Sequence, residues 1–202
     1  MKTYRRPLTE LCAERVEIVD PKRNPDREFW YIDISAVDNV TKRITSPQKV
    51  IGSQAPVRAR QLVRTGDVIV ATTRPNLNAV ALTPDQYNGQ ICSTGFCVLR
   101  PGPELDPEYL FYFVQSEAFI GPLVDLTKGA LYPAVTDRQV LNQIIPWVSL
   151  NEQRRIASEL KDKLTLVEEA RQAAKIQLRG IELLPSRLLA QAYDSYMENS
   201  DE

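Results

Sequence analysis

The 202-residue sequence contains no histidine, and that absence removes the commonest general base together with the commonest metal ligand. Catalytic triads and zinc sites built on histidine are excluded. No Gly-X-Gly occurs, so neither a dinucleotide fingerprint nor a glycine-rich methyl-donor loop is present, and no G-x-x-x-x-G-K-[ST] exists to cradle a nucleoside triphosphate. The three cysteines, Cys12, Cys92 and Cys97, form no C-x-x-C pair and leave an odd one over, which fits reduced structural thiols. No apolar run approaches the length of a membrane span, and Met1-Lys2-Thr3-Tyr4-Arg5-Arg6-Pro7 lacks the apolar stretch of a secretory signal. A cytoplasmic protein that binds no cofactor and no metal is the expectation.

What is present is an ordinary globular composition, 43% hydrophobic and 25% charged, with a formal net charge of −1. The near-neutral average hides an asymmetry. Between Lys42 and Arg74 lie seven bases, Lys42, Arg43, Lys49, Arg58, Arg60, Arg64 and Arg74, against the single acid Asp67. Between Pro101 and Asp125 the sign reverses, with Glu104, Asp106, Glu108, Glu117 and Asp125 and no base. A basic window is the footprint that phosphate binding requires, whereas an acidic group of this kind reads as a solvated face.

Apolar and turn patterning predicts strands at 15–19, 29–34, 68–72, 79–82, 90–99 and 143–146, with a loop at 73–78 and a turn at 83–89. Asp106-Pro107 is a helix start, with an N-cap followed by proline in the first turn, and the helix is expected to run through 119 until Gly121-Pro122 ends it. Its aromatics Tyr109, Phe111, Tyr112 and Phe113 read as packing rather than a base-stacking platform. A loop over 128–136 and a short helical piece precede the last strand. Ser149 and Glu152 then stand in capping-box spacing at the start of a long helix.

Along that helix Leu160, Val167, Ala174, Ile181 and Leu188 fall on one heptad position, and Ala157, Leu164, Arg171, Leu178 and Pro185 on the position three residues before each. This is a coiled-coil seam, roughly 50 Å long from Glu152 to Leu184 at about 1.5 Å per residue, and it implies a second helix. A parallel homodimer would set Arg171 against its own copy. An antiparallel pair instead lays Leu164 on the partner's Ile181, Val167 on the partner's Leu178 and Arg171 over the partner's Ala174. It also brings Lys161 near the partner's Glu182 and Glu168 near the partner's Lys175, each exposed pair worth only ~0.3 to 1 kcal/mol. The predicted dimerisation residues are Leu160, Leu164, Val167, Arg171, Ala174, Leu178, Ile181 and Leu188.

Catalysis is not expected. A nuclease centre assembled from Pro84-Asp85 and Glu159-Leu160-Lys161 would put its second half on the rod and include a seam residue, so the match is chance. Four features in order resemble the specificity subunits of type I restriction-modification enzymes. They are Gly66-Asp67-Val68-Ile69-Val70-Ala71, the loop Gly129-Ala130-Leu131-Tyr132-Pro133-Ala134-Val135-Thr136, the strand Ile144-Ile145-Pro146, and Leu150-Asn151-Glu152-Gln153-Arg154-Arg155-Ile156 opening a long helix. Two departures stand out. Where the family often has a second proline this chain has Trp147-Val148-Ser149, and where it has a Thr-Gln pair this chain has Leu131-Tyr132.

The resemblance implies an α/β fold, with a mixed-sheet target recognition domain over 1–148, a conserved coiled-coil spacer helix over 149–195 and a frayed acidic tail over 196–202. It implies a half-size, non-catalytic specificity subunit that recognises a bipartite duplex DNA target. Its partners would be a DNA methyltransferase subunit and a motor-nuclease subunit. The residues agree, because a recognition module needs bases for phosphate near loops bearing side chains that reach base edges. Arg74, Asn76 and Asn78 occupy the loop after the buried strand, Arg58, Arg60 and Arg64 lie just before that strand, and Lys42 and Arg43 open the window. Lys128, Tyr132, Thr136 and Arg138 supply a second contact loop. The competing reading is a coiled-coil protein-interaction adaptor without DNA binding.

Overall fold

The apolar run 68–71 forms a strand buried on both faces, and the first part of the molecule is arranged around it. The computed structural model describes residues 4–13 and 16–198. In chain order these form β1 (Tyr4–Pro7), the one-turn α1 (Leu8–Leu11), β2 (Glu28–Ile32), β3 (Val37–Asp38), β4 (Arg43–Ile44), β5 (Gln48–Ile51), β6 (Ala59–Leu62), β7 (Val68–Ala71), β8 (Val80–Leu82), β9 (Ile91–Ser93) and β10 (Phe96–Leu99). There follow α2 (Pro107–Phe113), α3 (Glu117–Asp125), α4 (Asp137–Leu141), β11 (Ile144–Trp147) and α5 (Leu150–Glu198). The chain divides into two units, Met1–Ala157 and Ser158–Glu202, so the division falls inside α5 rather than at its start.

Two sheets carry the first unit, one in the order β5-β2-β9-β6 and one in the order β10-β7-β8. The first is mixed, because β2 and β9 run parallel while its other pairs are antiparallel. β1 pairs with β11, and β3 with β4. Strand β7 shows why the run 68–71 has no polar alternation. Val68 and Val70 enter a core with Leu8, Leu110, Phe119, Leu123, Val140 and Ile145, while Ile69 and Ala71 enter a second core with Ile32, Val63, Cys92 and Phe96. Each large apolar side chain so buried contributes ~1.5–3 kcal/mol.

Three buried polar residues set the framework. Asp67, 1% exposed, holds Arg100 through two bonds of 2.7 and 2.9 Å and accepts the Arg64 backbone N–H at 2.8 Å. The guanidinium also donates to the Leu62 carbonyl, so neither charge is left unsatisfied, which is the condition for tolerating a buried ion pair. Gln61 donates to the carbonyls of Ser93 and Phe96, at 2.9 and 2.7 Å, pinning the crossover of the chain from one sheet to the other. Gln153 is fully buried. It accepts the Asp106 N–H and donates to the carbonyls of Glu104 and Val148, binding the first turn of α5 to the start of α2.

Several expected elements are redrawn. The segment 90–99 is two strands, because the chain crosses between sheets at Thr94-Gly95, where a Cβ on Gly95 would stand 2.8 Å from Ile34 Cδ1. The strand expected over 29–34 stops at Ile32, since the Asp33 carboxylate accepts the Ala36 N–H and turns the chain into a short 3-10 helix. Of the strand expected at 15–19, Arg15 lies outside the described residues. The remainder runs beside β6 with one bridge, Ile18 to Gln61, and backbone bonds from Val19 to Arg60 and from Leu62 to Glu17. The helix expected over 106–119 is two. Its Asp106 cap is present, but Ser116 donates to the Phe113 carbonyl and opens α3, which contains Gly121 and Pro122 instead of ending before them.

In the second unit the helix continues to Glu198, beyond the expected limit of 195, and the final tail residues 199–202 lie outside the described residues. Leu160, Leu164, Val167, Leu178, Ile181 and Leu188 are exposed along it, as are Leu166, Ile176, Leu183, Leu184 and Leu189 away from the expected seam. Ala157, assigned to the seam by its spacing, is instead buried in the core of the first unit. Arg171 makes an ion pair of 3.7 Å with Glu168 on its own helix. No described helix is long and apolar enough to cross a membrane.

Candidate nucleic-acid interface

The loop after β7 has an unusual backbone. Arg74 and Asn78 both adopt the left-handed conformation, at φ 50° and 46°, on either side of a 3-10 turn over Pro75–Leu77. For residues other than glycine this conformation costs roughly 1–2 kcal/mol each, so surrounding contacts must impose it. They do so from two sides. The Arg74 N–H donates to the Pro133 carbonyl at 2.8 Å, and Lys42 Nζ donates to the Asn78 carbonyl at 2.5 Å. Arg74 and Asn76 are left exposed, while the Asn78 amide donates to the Gln115 carbonyl at 3.4 Å.

The second loop is fastened to the first. Thr73 bridges Ala134, and the Val135 N–H donates to the Thr72 carbonyl at 2.8 Å, so 72–74 and 133–135 run antiparallel just past the end of β7. Thr136 then caps α4, its hydroxyl accepting the Gln139 N–H while the Gln139 side chain returns to the Thr136 backbone. Tyr132 is exposed, Lys128 pairs with Asp125 at 2.8 Å, and Arg138 is exposed on α4.

The β3–β4 hairpin supplies a third element. Asp38 accepts the N–H groups of Val40 and Thr41 and shapes the tip, Lys42 closes it at φ 57°, and Arg43 stands exposed opposite Asp38. Burial holds the Lys42 ammonium below the usual lysine range, with the Asp38 charge acting against that shift. Arg58 belongs to the same end of the sheets, because its carbonyl accepts the Thr94 N–H and the adjoining Gly95 carbonyl accepts both the N–H and the hydroxyl of Thr72.

Lys42, Arg43, Arg58, Arg74, Asn76, Asn78 and the 128–136 loop are therefore drawn together by backbone bonds between segments distant in sequence. Three members of the basic window are not. Arg60 occupies the bulge in β6 and pairs with Asp20 at 3.1 Å, and Arg64 pairs with Glu17 at 3.5 Å. At about 3.3 Å per residue, Arg64 lies some 20 Å along the chain from Arg58. Lys49 is matched to Glu28 at 2.6 Å. Of the arginines in the predicted contact set, Arg43, Arg58, Arg74 and Arg138 carry no ion pair among the described residues and are open to an external anion.

Sequence reasoning missed the fastening of the two loops and the buried Gln61 and Gln153. Spacing carries no signal for a pairing across some sixty residues, and Gln61 and Gln153 stand among charged neighbours, so nothing in the local sequence marks them as buried. It also missed Leu131, which is as exposed as its neighbour Tyr132. The cysteines are inert, since burial pushes the Cys12 thiol up to about 12 and raises Cys92 and Cys97 as well. Among the described residues no cluster of three potential metal ligands occurs.

A family profile described as "Type I restriction modification DNA specificity domain" matches residues 31–177. Among solved structures, the HsdS subunit from Thermoanaerobacter tengcongensis is 42% identical, with a TM-score of 0.81 over 90% of this chain and 47% of that one. A chain solved in work on complex assembly and conformational transition of the type I R-M system is also 42% identical, with a TM-score of 0.87 over 94% and 49%. The S subunit of the type I restriction-modification system from M. genitalium, at 17% identity and TM-score 0.54 over 84% and 41%, shares the fold. The chain spans about half the length of each of these structures. Among curated proteins none matches. The matched stretch runs from β2 into α5, and on that ground the chain belongs to the type I restriction-modification DNA specificity family.

Proposed function

We propose that this chain is a non-catalytic specificity subunit that reads duplex DNA with the loops gathered at one end of its sheets and docks methyltransferase and motor-nuclease subunits. The observation that carries the reading is the convergence of the β3–β4 hairpin, the Arg58 segment and the loops 73–78 and 128–136. Its unpaired Arg43, Arg58 and Arg138 serve phosphates, which bind without regard to sequence, while Arg74 and Asn76 reach base edges. Arg60 and Arg64, held by acids, contribute less. The exposed apolar positions of α5, Leu160 to Leu188, then pair two copies antiparallel, so that two recognition units address a bipartite target. The protein acts in the cytoplasm and takes its chemistry from the partner subunits.

Salt titration of duplex binding tests this directly. Each phosphate neutralised contributes a slope of about −0.9 in log affinity against log salt, so binding should fall steeply. A duplex affinity that is absent at low salt, or independent of salt, would favour a protein-interaction adaptor instead.

A further inference from the structure

Leu131 and Tyr132 are adjacent large apolar side chains, 87% and 86% exposed, at the tip of the 128–136 loop. Scattered single exposures are ordinary, but this pair stands on a fixed base. Directly beyond it Pro133, Ala134 and Val135 are fastened to Arg74, Thr73 and Thr72, and on the other side Gly129 turns the chain at φ 78°. A fixed base that holds two apolar side chains in water gains nothing from them for folding. The tip is built to be covered by something else.

We propose that Leu131 and Tyr132 form an apolar wedge that enters a base step of the duplex gripped by the neighbouring basic loops. This rests on the DNA-binding reading above. Charge names the occupant. The wedge hangs from Arg74 by a backbone bond, and Arg74 has no ion pair among the described residues. Apolar side chains driven between base pairs unstack them and kink the duplex, and cations beside the wedge hold the displaced phosphates. The tyrosine ring can stack on the base it exposes, an interaction tolerant of sequence. The wedge would thus favour flexible pyrimidine–purine steps without a hydrogen bond to any base.

The test uses the full chain and a short duplex selected for binding from a random library, with 2-aminopurine replacing adenine at successive positions. Its fluorescence rises where stacking is lost. The unaltered protein should produce a rise at one step per half-site. The Leu131→Ser, Tyr132→Ser double variant should abolish that rise and bind about tenfold more weakly with an unchanged salt slope. Both side chains are exposed, so the variant's melting temperature should match the parent's. Tight binding by the parent with no rise at any position would overturn the wedge. So would a variant with full affinity and full fluorescence response, or one that keeps its DNA response but loses a partner subunit. Failure of the parent to bind any duplex would overturn the DNA reading itself.

Discussion

Arg74 and Arg58 are both exposed arginines without an ion pair among the described residues, yet their backbones differ. Arg74 is held in a left-handed conformation by its N–H bond to Pro133 of the second loop, whereas Arg58 leads into β6 with its carbonyl bonded to Thr94. A side chain whose backbone is over-determined suits the geometric demands of base reading. One on the flank suits a phosphate. Replacing Arg74 or Asn76 with alanine should therefore relax preference at one or two base pairs by ~1 to 3 kcal/mol. Arg58→Ala should weaken all sequences alike and flatten the salt slope by about 1. Comparing each variant's affinity for a selected and a scrambled duplex across a salt series decides the matter, and unchanged preference in both loop variants would move the reading surface to Lys128 through Arg138. The sequence made the arginines visible as a group. It did not reveal that Arg60 and Arg64 are spoken for by Asp20 and Glu17, because ion pairs form across strands whose register is not written locally.

At the level of elements, what was legible followed from local chemistry. The apolar run of β7, the Asp106-Pro107 helix start and the beginning of α5 all stand where patterning puts them. The errors fall where tertiary contacts override it. Gly121 and Pro122 continue inside α3 despite their breaking tendency, and the crossover at Gly95 divides a continuous apolar stretch into strands of different sheets. The short β1, β5 and β6 lack strong alternation and were invisible alone; they exist because β11, β2 and β9 supply their hydrogen bonds. Helix α5 lies between the two cases. Its heptads are real as spacing, but Ala157 answers to the core of the first unit, and the exposed Leu166, Ile176 and Leu183 lie off the seam. The proposed antiparallel seam sets Ile181 against the partner's Leu164, so Ile181→Asp would bury a carboxylate among apolar side chains. Light scattering near micromolar concentration should find this variant monomeric. A full dimer would place the interface elsewhere on the helix.

The whole molecule joins a recognition unit, built on two sheets and stabilised by the buried Asp67–Arg100 pair and Gln61, to a helix whose apolar positions are exposed in the single chain. Half the length of its solved relatives, it carries one such unit. If two copies pair antiparallel as proposed, their two-fold axis would impose the same symmetry on the DNA they bind. The helix between the units would span bases that neither unit reads. Selection of bound sequences from a random duplex library by the purified chain tests this most directly. The enriched sites should be two inverted half-sites separated by an unread spacer; direct repeats, one continuous site, or no enrichment at all would contradict it.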